Sequence, residues 1–300
     1  MPPSPAFAGD THPASPSPSP SPTWRPYRPP PASASAAAPP PPSPPTNDST
    51  IDNVLLPTGQ KSLSGISLRA FLLGTVLGLS TSLTVLLLLS PPLYTPLWRI
   101  PFFLASLSLF HFLEYYITAA HNTRFANISA FLLSSNGWAY NIAHGSAVLE
   151  CLLANVFFSG SDGDRYQGVE TATPRARVTI QVLLGLVLMV VGQTVRSLAM
   201  AHAGSNFNHT VQVTRRDGHR LVTSGVYAVF RHPSYFGFFW WGLGTQLVLG
   251  NVVCLVGYAV VLWRFFSSRI YREEKFLVAF FGEEYEEYKK RSWVGIPGIY

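Results

Sequence analysis

The chain has 300 residues, of which 47% are hydrophobic and only 12% are charged, and its formal net charge is +6. Several apolar runs approach the roughly 20 residues that an α-helix needs to cross a bilayer, so the sequence predicts an all-α, polytopic membrane bundle in contact with lipid. The positive charge is too small and too scattered for nucleic-acid binding. In a membrane protein it orients the chain instead, because Lys and Arg stay on the cytosolic side.

The first 65 residues are predicted to form a disordered tail. Pro, Ser and Ala dominate its first 50 positions. Repeats such as Ser15-Pro16-Ser17-Pro18 favour extended polyproline II over a packed core. A ligand for SH3-like domains is the alternative reading of these repeats, and we expect deletion of the tail to leave catalysis intact.

About six transmembrane helices are expected after the tail, in an N-terminal group (66–177) and a C-terminal group (178–300). Their expected limits are 66–89, 97–120, 140–158, 178–201, 234–249 and 252–266. The short Gly250-Asn251 link makes the last two spans an antiparallel hairpin. Residues 269–290 predict an amphipathic helix that continues the sixth span along the interface, with Phe276, Leu277, Phe280 and Phe281 set against Glu283, Glu284, Glu287 and Lys290. The mixed segment 124–141 leaves the number of spans open.

Six spans place both termini on one side of the membrane. The basic residues concentrate in the loop after the fourth span and in the C-terminal tail, namely Arg215, Arg216, Arg220, Arg231 and the stretch 264–291. These segments are therefore expected to face the cytosol together with Lys61 and Arg69. The opposite loop, 159–177, carries acidic residues among its basic ones.

Four ionisable residues lie in or near the apolar spans: His111, Glu114, Glu150 and Arg196. Ionisable groups at this depth are costly unless they are paired or functional, and we expect structural pairing. Cys151 and Cys254 are expected to be buried packing residues. No metal is expected, because the spacing of His209, His219 and His232 matches no usual zinc pattern. Gly242-Leu243-Gly244 lies in mid-span, which favours close helix packing over a nucleotide fingerprint.

Two polar segments flank the last hairpin. The run Arg231-His232-Pro233-Ser234-Tyr235 marks the start of the fifth span, because Pro is favoured in the first turn of a helix. The free amides of such a turn can bind polar ligand atoms. Arg269 and Glu273 are four residues apart and share one helix face. They form either a surface salt bridge, worth under ~1 kcal/mol, or a ligand-binding pair in which the Arg fork holds a carboxylate.

These segments together resemble the isoprenylcysteine carboxyl methyltransferase family. The resemblance is carried by Gly204-Ser205-Asn206-Phe207-Asn208-His209, the Arg231–Tyr235 run, Phe265-Phe266, Arg269, Glu273-Glu274 and Phe281-Gly282-Glu283-Glu284-Tyr285. It is dense over 196–297 and thinner over 71–150. It implies a multi-pass enzyme of the endoplasmic reticulum membrane that uses S-adenosyl-L-methionine. The implied acceptor is the α-carboxylate of a farnesylated or geranylgeranylated cysteine at the C-terminus of a CaaX-processed protein.

The resemblance also implies the site residues. Those expected to hold S-adenosylmethionine are Gln212, His219, Arg220, Leu221, Val222, Tyr227, His232, Pro233, Ser234, Tyr235 and Glu273. Arg269 is expected to hold the substrate carboxylate and to act with Glu273 as the catalytic pair. No general base is expected, because a carboxylate is already ionised at neutral pH.

Three other functions stay open at this stage. A phospholipid N-methyltransferase shares the Arg-His-Pro-x-Tyr element, but its amine acceptor would gain nothing from Arg269. An NADPH-dependent membrane sterol reductase also shares it, but such enzymes typically close with a different C-terminal pattern from Glu273-Glu274 and Phe281-Gly282. A non-enzymatic scaffold would use the Pro-rich tail as its working part.

Overall fold

The computed structural model describes residues 55–57, 59–89, 96–162, 173–215 and 218–300. Residues 1–54 of the predicted tail, Arg216 and residues 163–172 of the predicted 159–177 loop lie outside the described residues, whereas the last three tail residues, 63–65, belong to α1. Seven α-helices are described: α1 (Leu63–Leu89), α2 (Arg99–His121), α3 (Gly137–Asp162), α4 (Thr173–Ala203), α5 (Pro233–Leu249), α6 (Val253–Phe281) and α7 (Glu283–Arg291). The predicted all-α bundle is confirmed.

Four of the described segments are long and apolar enough to cross a membrane, namely Leu63–Leu89, Pro96–His121, Ile180–Asn206 and Val253–Phe281. They correspond to the first, second, fourth and sixth predicted spans. The other two predicted spans are the α3 and α5 helices. The α5 helix has 17 residues, so at 1.5 Å per residue it is about 26 Å long, a little short of the ~30 Å hydrocarbon core.

Glycines bring the α4 and α5 helices into close contact. A Cβ atom added to Gly192 would lie 2.6 Å from the carbonyl oxygen of Gly237, and one added to Gly185 would lie 2.8 Å from that of Gly244. Even an alanine would therefore push the two backbones apart at either level. Small residues are the usual means of close helix approach in membranes. The prediction of close packing at Gly244 is confirmed, and this contact holds the end of α4 beside the start of α5.

The hairpin between α5 and α6 forms as predicted, and the Glu150 carboxylate explains its geometry. Gly250 adopts a φ of 79° and ends α5. The Glu150 carboxylate then accepts the first free amides of α6, from Val252, Val253 and Cys254, at 2.8, 2.8 and 2.7 Å. A negative charge at a helix N-terminus accepts hydrogen bonds from the unpaired N–H groups and interacts favourably with the positive end of the helix dipole. Glu150 is therefore paired structurally.

The amphipathic segment continues the sixth span, as the sequence predicted, because α6 runs without interruption for 29 residues to Phe281. The structure differs from the prediction in dividing the stretch 269–290 at Gly282. No proline interrupts this run, so nothing in its sequence ends the helix earlier. Gly282, with φ 57° and ψ −129°, turns the chain into α7. The amphipathic segment is thus split between the last turns of α6 and the short α7 helix.

A buried ion pair joins α2 to α4. The Arg196 guanidinium donates Nε to Glu114 Oε1 and Nη2 to Glu114 Oε2, the latter at 2.8 Å. Its remaining Nη1 donates to the hydroxyl of Ser234 at 3.0 Å. The two side chains are 7% and 1% exposed, so each charge depends on the other for compensation. The expected structural pairing is confirmed, and the pair fixes the first turn of α5.

Candidate active site

A cavity opens where α4 ends and α5 begins. It encloses about 710 Å³, counting its solvent-open mouth. All but one of the predicted cofactor residues lie in its wall: His219, Arg220, Leu221, Val222, Tyr227, His232, Pro233, Ser234, Tyr235 and Glu273. Residues that are up to 54 positions apart in sequence thus meet around one space.

Gln212 is the predicted cofactor residue that the structure does not bring to this wall. Its amide nitrogen donates to the carbonyl oxygen of Thr210 at 3.0 Å, which folds the side chain back on its own turn. Among the described residues, Gln212 is absent from the lining of the cavity. Its role in cofactor binding stays a prediction.

The wall also contains residues that the sequence did not single out for the site. They are Ala203, Asn206, Phe207, Asn208, Arg231, Leu277, Phe281, Tyr285 and Tyr288. Tyr285 and Tyr288 are almost fully buried, at 1% and 2% exposure. Their three-residue spacing among glutamates and lysines is the signal that could have found them, because it places both rings on one face of a helix.

The C-terminal segment after α7 closes the cavity from behind. Arg231 donates its backbone N–H to Trp293 at 2.9 Å, and Trp293 returns a bond to the carbonyl oxygen of Val229 at 2.9 Å. Tyr288 donates its hydroxyl to the carbonyl oxygen of Tyr227 at 2.7 Å. These bonds fix the loop that precedes α5. Pro233 then occupies the first turn of α5, as predicted.

A carboxylate with three cationic or potentially cationic neighbours lies behind the wall. Glu274 Oε1 accepts Arg231 Nε at 2.7 Å and lies 3.3 Å from His232 Nε2, while Lys289 Nζ reaches Oε2 at 2.7 Å. The cluster ties the loop before α5 and the α7 helix to α6. Because Arg231 also donates to the carbonyl oxygen of Ser292 at 2.8 Å, its charge is committed to the scaffold.

The predicted pair of Arg269 and Glu273 is linked through the hydroxyl of Tyr235. That hydroxyl accepts Arg269 Nε at 2.8 Å and donates to Glu273 Oε2 at 2.5 Å. The guanidinium carbon also lies 5.3 Å from the centre of the Tyr235 ring. Arg269 Nη2 donates to the carbonyl oxygen of His209. Its Nη1 makes no hydrogen bond within the described parts of the chain, so one face of the guanidinium is available to a ligand.

His209 stands between the Arg269 group and the Glu114–Arg196 pair. Its Nδ1 lies 3.7 Å from Glu114 Oε2. Burial lowers the pKa of His209 to about 4, an effect that Arg196 and Arg269 reinforce. The ring is therefore neutral near pH 7 and adds no charge beside Arg269. Burial likewise raises the pKa of Tyr227 and brings that of Tyr288 to about 12, so both hydroxyls keep their protons.

A polar, ionisable cavity at the ends of helices long and apolar enough to cross a membrane is typical of an intramembrane enzyme with a polar ligand. Similarity to known proteins identifies the class further. The family model for the isoprenylcysteine carboxyl methyltransferase (ICMT) family matches residues 183–279, which include α5, most of α4 and α6, and most of the cavity wall.

Two curated relatives and one solved structure agree with this match. The protein-S-isoprenylcysteine O-methyltransferase of Saccharomyces cerevisiae is 48% identical over 66% of this chain and 79% of its own length. The Homo sapiens protein of the same name is 43% identical over 78% of this chain and 75% of its own. A solved structure of a eukaryotic intramembrane Ras methyltransferase, ICMT, aligns with a TM-score of 0.66 and 34% identity over 78% of this chain and 77% of that chain.

The chain belongs to the isoprenylcysteine carboxyl methyltransferase family. The family predicted from the sequence motifs is thereby confirmed, and the comparisons do not favour a phospholipid methyltransferase, a sterol reductase or a scaffold.

Proposed function

We propose that this protein methylates the α-carboxylate of a C-terminal prenylated cysteine in CaaX-processed proteins, with S-adenosyl-L-methionine as the methyl donor. One observation carries the proposal beyond family membership. The cavity wall contains Tyr235 and Glu273, and the Tyr235 hydroxyl joins Glu273 to Arg269, which has a free donor. A site for a cationic donor and a site for an anionic acceptor therefore lie on either side of one hydroxyl.

The residues of the cavity fit S-adenosylmethionine. When bound, that molecule supplies a methyl group on a positively charged sulfur. Glu273 is the carboxylate in the wall that is not tied up by cations, because its described partner is the neutral Tyr235 hydroxyl. Leu221, Val222 and Leu277 add apolar surface to the same wall, which suits the purine portion. We propose that the other wall residues predicted from the sequence, with Gln212 at the margin, complete this site.

Arg269 fits a substrate carboxylate with a particular geometry. Its Nε and Nη2 are already used by Tyr235 and His209, so Nη1 remains for the acceptor. A one-point contact orients the carboxylate through one oxygen and leaves the other oxygen free to attack the methyl carbon. A two-point contact would reduce the nucleophilicity of both oxygens. Since a carboxylate needs no general base near pH 7, alignment of the two reactants is the main task of these residues.

The membrane arrangement supports two separate routes into the site. The solvent-open mouth suits entry of the polar donor from the cytosol, whereas a farnesyl or geranylgeranyl chain would arrive sideways through lipid. We infer an endoplasmic reticulum location with both termini and the cavity on the cytosolic side. The basic residues near the cavity, among them Arg215 and Arg220, support this orientation through the positive-inside tendency.

Transfer of radiolabelled methyl from S-adenosylmethionine to N-acetyl-S-farnesylcysteine by the purified protein tests the proposal. We expect base-stable label to be absent and base-labile methyl ester to form, because a carboxyl methyl ester releases methanol in alkali. Phosphatidylethanolamine offered in the same micelles is the control acceptor. Label on that lipid without label on the prenylcysteine would overturn the proposed function and indicate phospholipid N-methylation instead.

A further inference from the structure

A second cavity lies within the membrane-spanning part of the bundle, between α1, α2 and α3. It encloses about 660 Å³, counting its open side. Leu73 and Val76 of α1 face Leu104 and Leu107 of α2 across it. Val76 is 40% exposed, so this side of the cavity is accessible from lipid. None of the described residues that line it carries a formal charge at neutral pH, and none of them lines the first cavity.

One end of this cavity holds a directed chain of hydrogen bonds. His111 Nδ1 lies 2.7 Å from the carbonyl oxygen of Phe131, and His144 Nδ1 lies 2.7 Å from that of Tyr140. A carbonyl oxygen can only accept, so both rings carry their proton on Nδ1. The Tyr140 hydroxyl, 3.0 Å from His111 Nε2, must then donate to that nitrogen.

At this end of the cavity, hydrogen-bond acceptors remain without a donor. His144 Nε2 carries a lone pair, is buried, and has no hydrogen-bond partner within the described residues. The Tyr140 oxygen can accept a further hydrogen bond, because its proton points to His111. Tyr258 packs against His144 with ring centres 6.0 Å apart, but its hydroxyl is also unbonded and does not serve His144. An unpaired acceptor is costly where lipid surrounds the protein and water is scarce.

We propose that this cavity binds a neutral membrane lipid whose polar group is a hydroxyl. The hydroxyl donates to His144 Nε2, and the hydrocarbon body packs against the leucines of α1 and α2. The missing partner is a donor, which a hydroxyl supplies. A fatty-acid carboxylate or a phosphate has no cation to meet among the lining residues. The argument rests on this cavity alone and is independent of the proposed methyl transfer.

The test uses cholesterol and its 3-methyl ether, which has nearly the same body but no donor. Binding of radiolabelled cholesterol to the purified full-length protein in micelles is measured in competition with each unlabelled compound. We expect the ether to compete about five- to a hundredfold more weakly, the loss that an unpaired buried acceptor produces. Equal competition by alcohol and ether would overturn the proposal without any variant.

Two substitutions locate the site. His144→Phe keeps a ring but removes the acceptor, and we expect it to weaken cholesterol to the level of the ether while leaving the ether unchanged. Val76→Trp fills the cavity from the lipid side and should weaken both compounds. His121→Phe, at the exposed end of α2, is the matched control and should change neither. Unchanged cholesterol binding in Val76→Trp would place the lipid elsewhere and overturn the proposal.

A competing occupant is the prenyl chain of the substrate. If it uses this cavity, N-acetyl-S-farnesylcysteine displaces cholesterol and Val76→Trp raises the KM for that substrate several-fold, which would overturn the lipid assignment. We expect neither effect. Because lipid binding is measured without methyl donor, a protein that binds cholesterol but transfers no methyl group would refute the proposed function and leave this proposal standing.

Discussion

Glu273 and Glu274 are neighbours in the sequence, yet the two faces of α6 on which they lie give their carboxylates different surroundings. Glu274 is closed in by Arg231, His232 and Lys289. Glu273 borders the cavity and has the Tyr235 hydroxyl as its partner. A carboxylate surrounded by cations of the protein has little attraction left for a ligand, whereas one held by a neutral hydroxyl keeps its charge for use. The comparison predicts that Glu274 maintains the scaffold and that Glu273 acts on the ligand.

The largest expected effect is that of Glu274→Ala on stability. The substitution leaves the Arg231 guanidinium buried, at 4% side-chain exposure, without its carboxylate. Breaking a buried ion pair from one side costs about 3–5 kcal/mol, so we expect a marked fall in the apparent midpoint of thermal unfolding in micelles. Glu274→Gln retains an oxygen that accepts from Arg231, so its unfolding midpoint should lie between those of the wild type and Glu274→Ala. An unchanged midpoint would mean that the cluster does not hold the scaffold.

Glu273→Ala and Arg269→Ala are expected to lower activity rather than stability. Each removes one contact to a reactant, and we expect turnover to fall at least ~100-fold, which is the scale of losing a key transition-state interaction. The unfolding midpoint should change little, because neither side chain forms an ion pair within the described residues. Glu273 is held by the Tyr235 hydroxyl, and Arg269 by that hydroxyl and the carbonyl oxygen of His209. Methyl-transfer assays at matched folded concentration separate the two effects. Activity within a few-fold of wild type would remove these residues from the proposed mechanism.

The sequence predicted the helices well because their signals are local. Apolar runs of about 20 residues, Pro233 in a first turn and Gly250 at a hairpin are each visible within a few positions. The different surroundings of the Glu273 and Glu274 carboxylates could not be predicted from nearby residues in the sequence. The partners of Glu274 include Arg231, which lies 43 positions away, and no local pattern states which of two adjacent carboxylates such a residue will meet. Helical spacing left Glu273 open between a surface salt bridge and a ligand-binding pair, and the family motifs favoured the second.

The closing of the cavity by the C-terminal segment was missed for the same reason. The hydrogen bonds of Trp293 with Val229 and Arg231 join two segments about 60 residues apart. They are made by backbone groups, which carry no sequence signature. The continuation of the sixth span into the amphipathic segment was predicted, but the division of that segment at Gly282 was not. A helix that leaves the membrane can change its exposed face without ending, and Gly282 marks the true end.

A smaller effect is expected from Tyr235→Phe, which removes the hydroxyl that joins the two functional side chains. Arg269 and Glu273 would then lose their shared partner but keep their positions on α6. We expect about a tenfold loss of turnover, since hydrogen bonds to charged groups contribute roughly 1.5–3 kcal/mol and part of that is recovered by solvent. Steady-state kinetics with both substrates varied provide the measurement. A loss as large as that of Arg269→Ala would indicate that the hydroxyl itself contacts a reactant.

The smallest effect tests whether the partners of Glu274 are equivalent. Lys289 reaches the carboxylate at 2.7 Å, but its side chain is 36% exposed, whereas that of Arg231 is 4% exposed. Solvent screens an exposed pair, and its lysine loses side-chain entropy on binding, so we expect Lys289→Ala to cost under about 1 kcal/mol. Its unfolding midpoint should stay close to wild type while that of Glu274→Ala falls. Similar losses in both variants would mean that the cluster acts as one indivisible unit, and that burial does not rank its members.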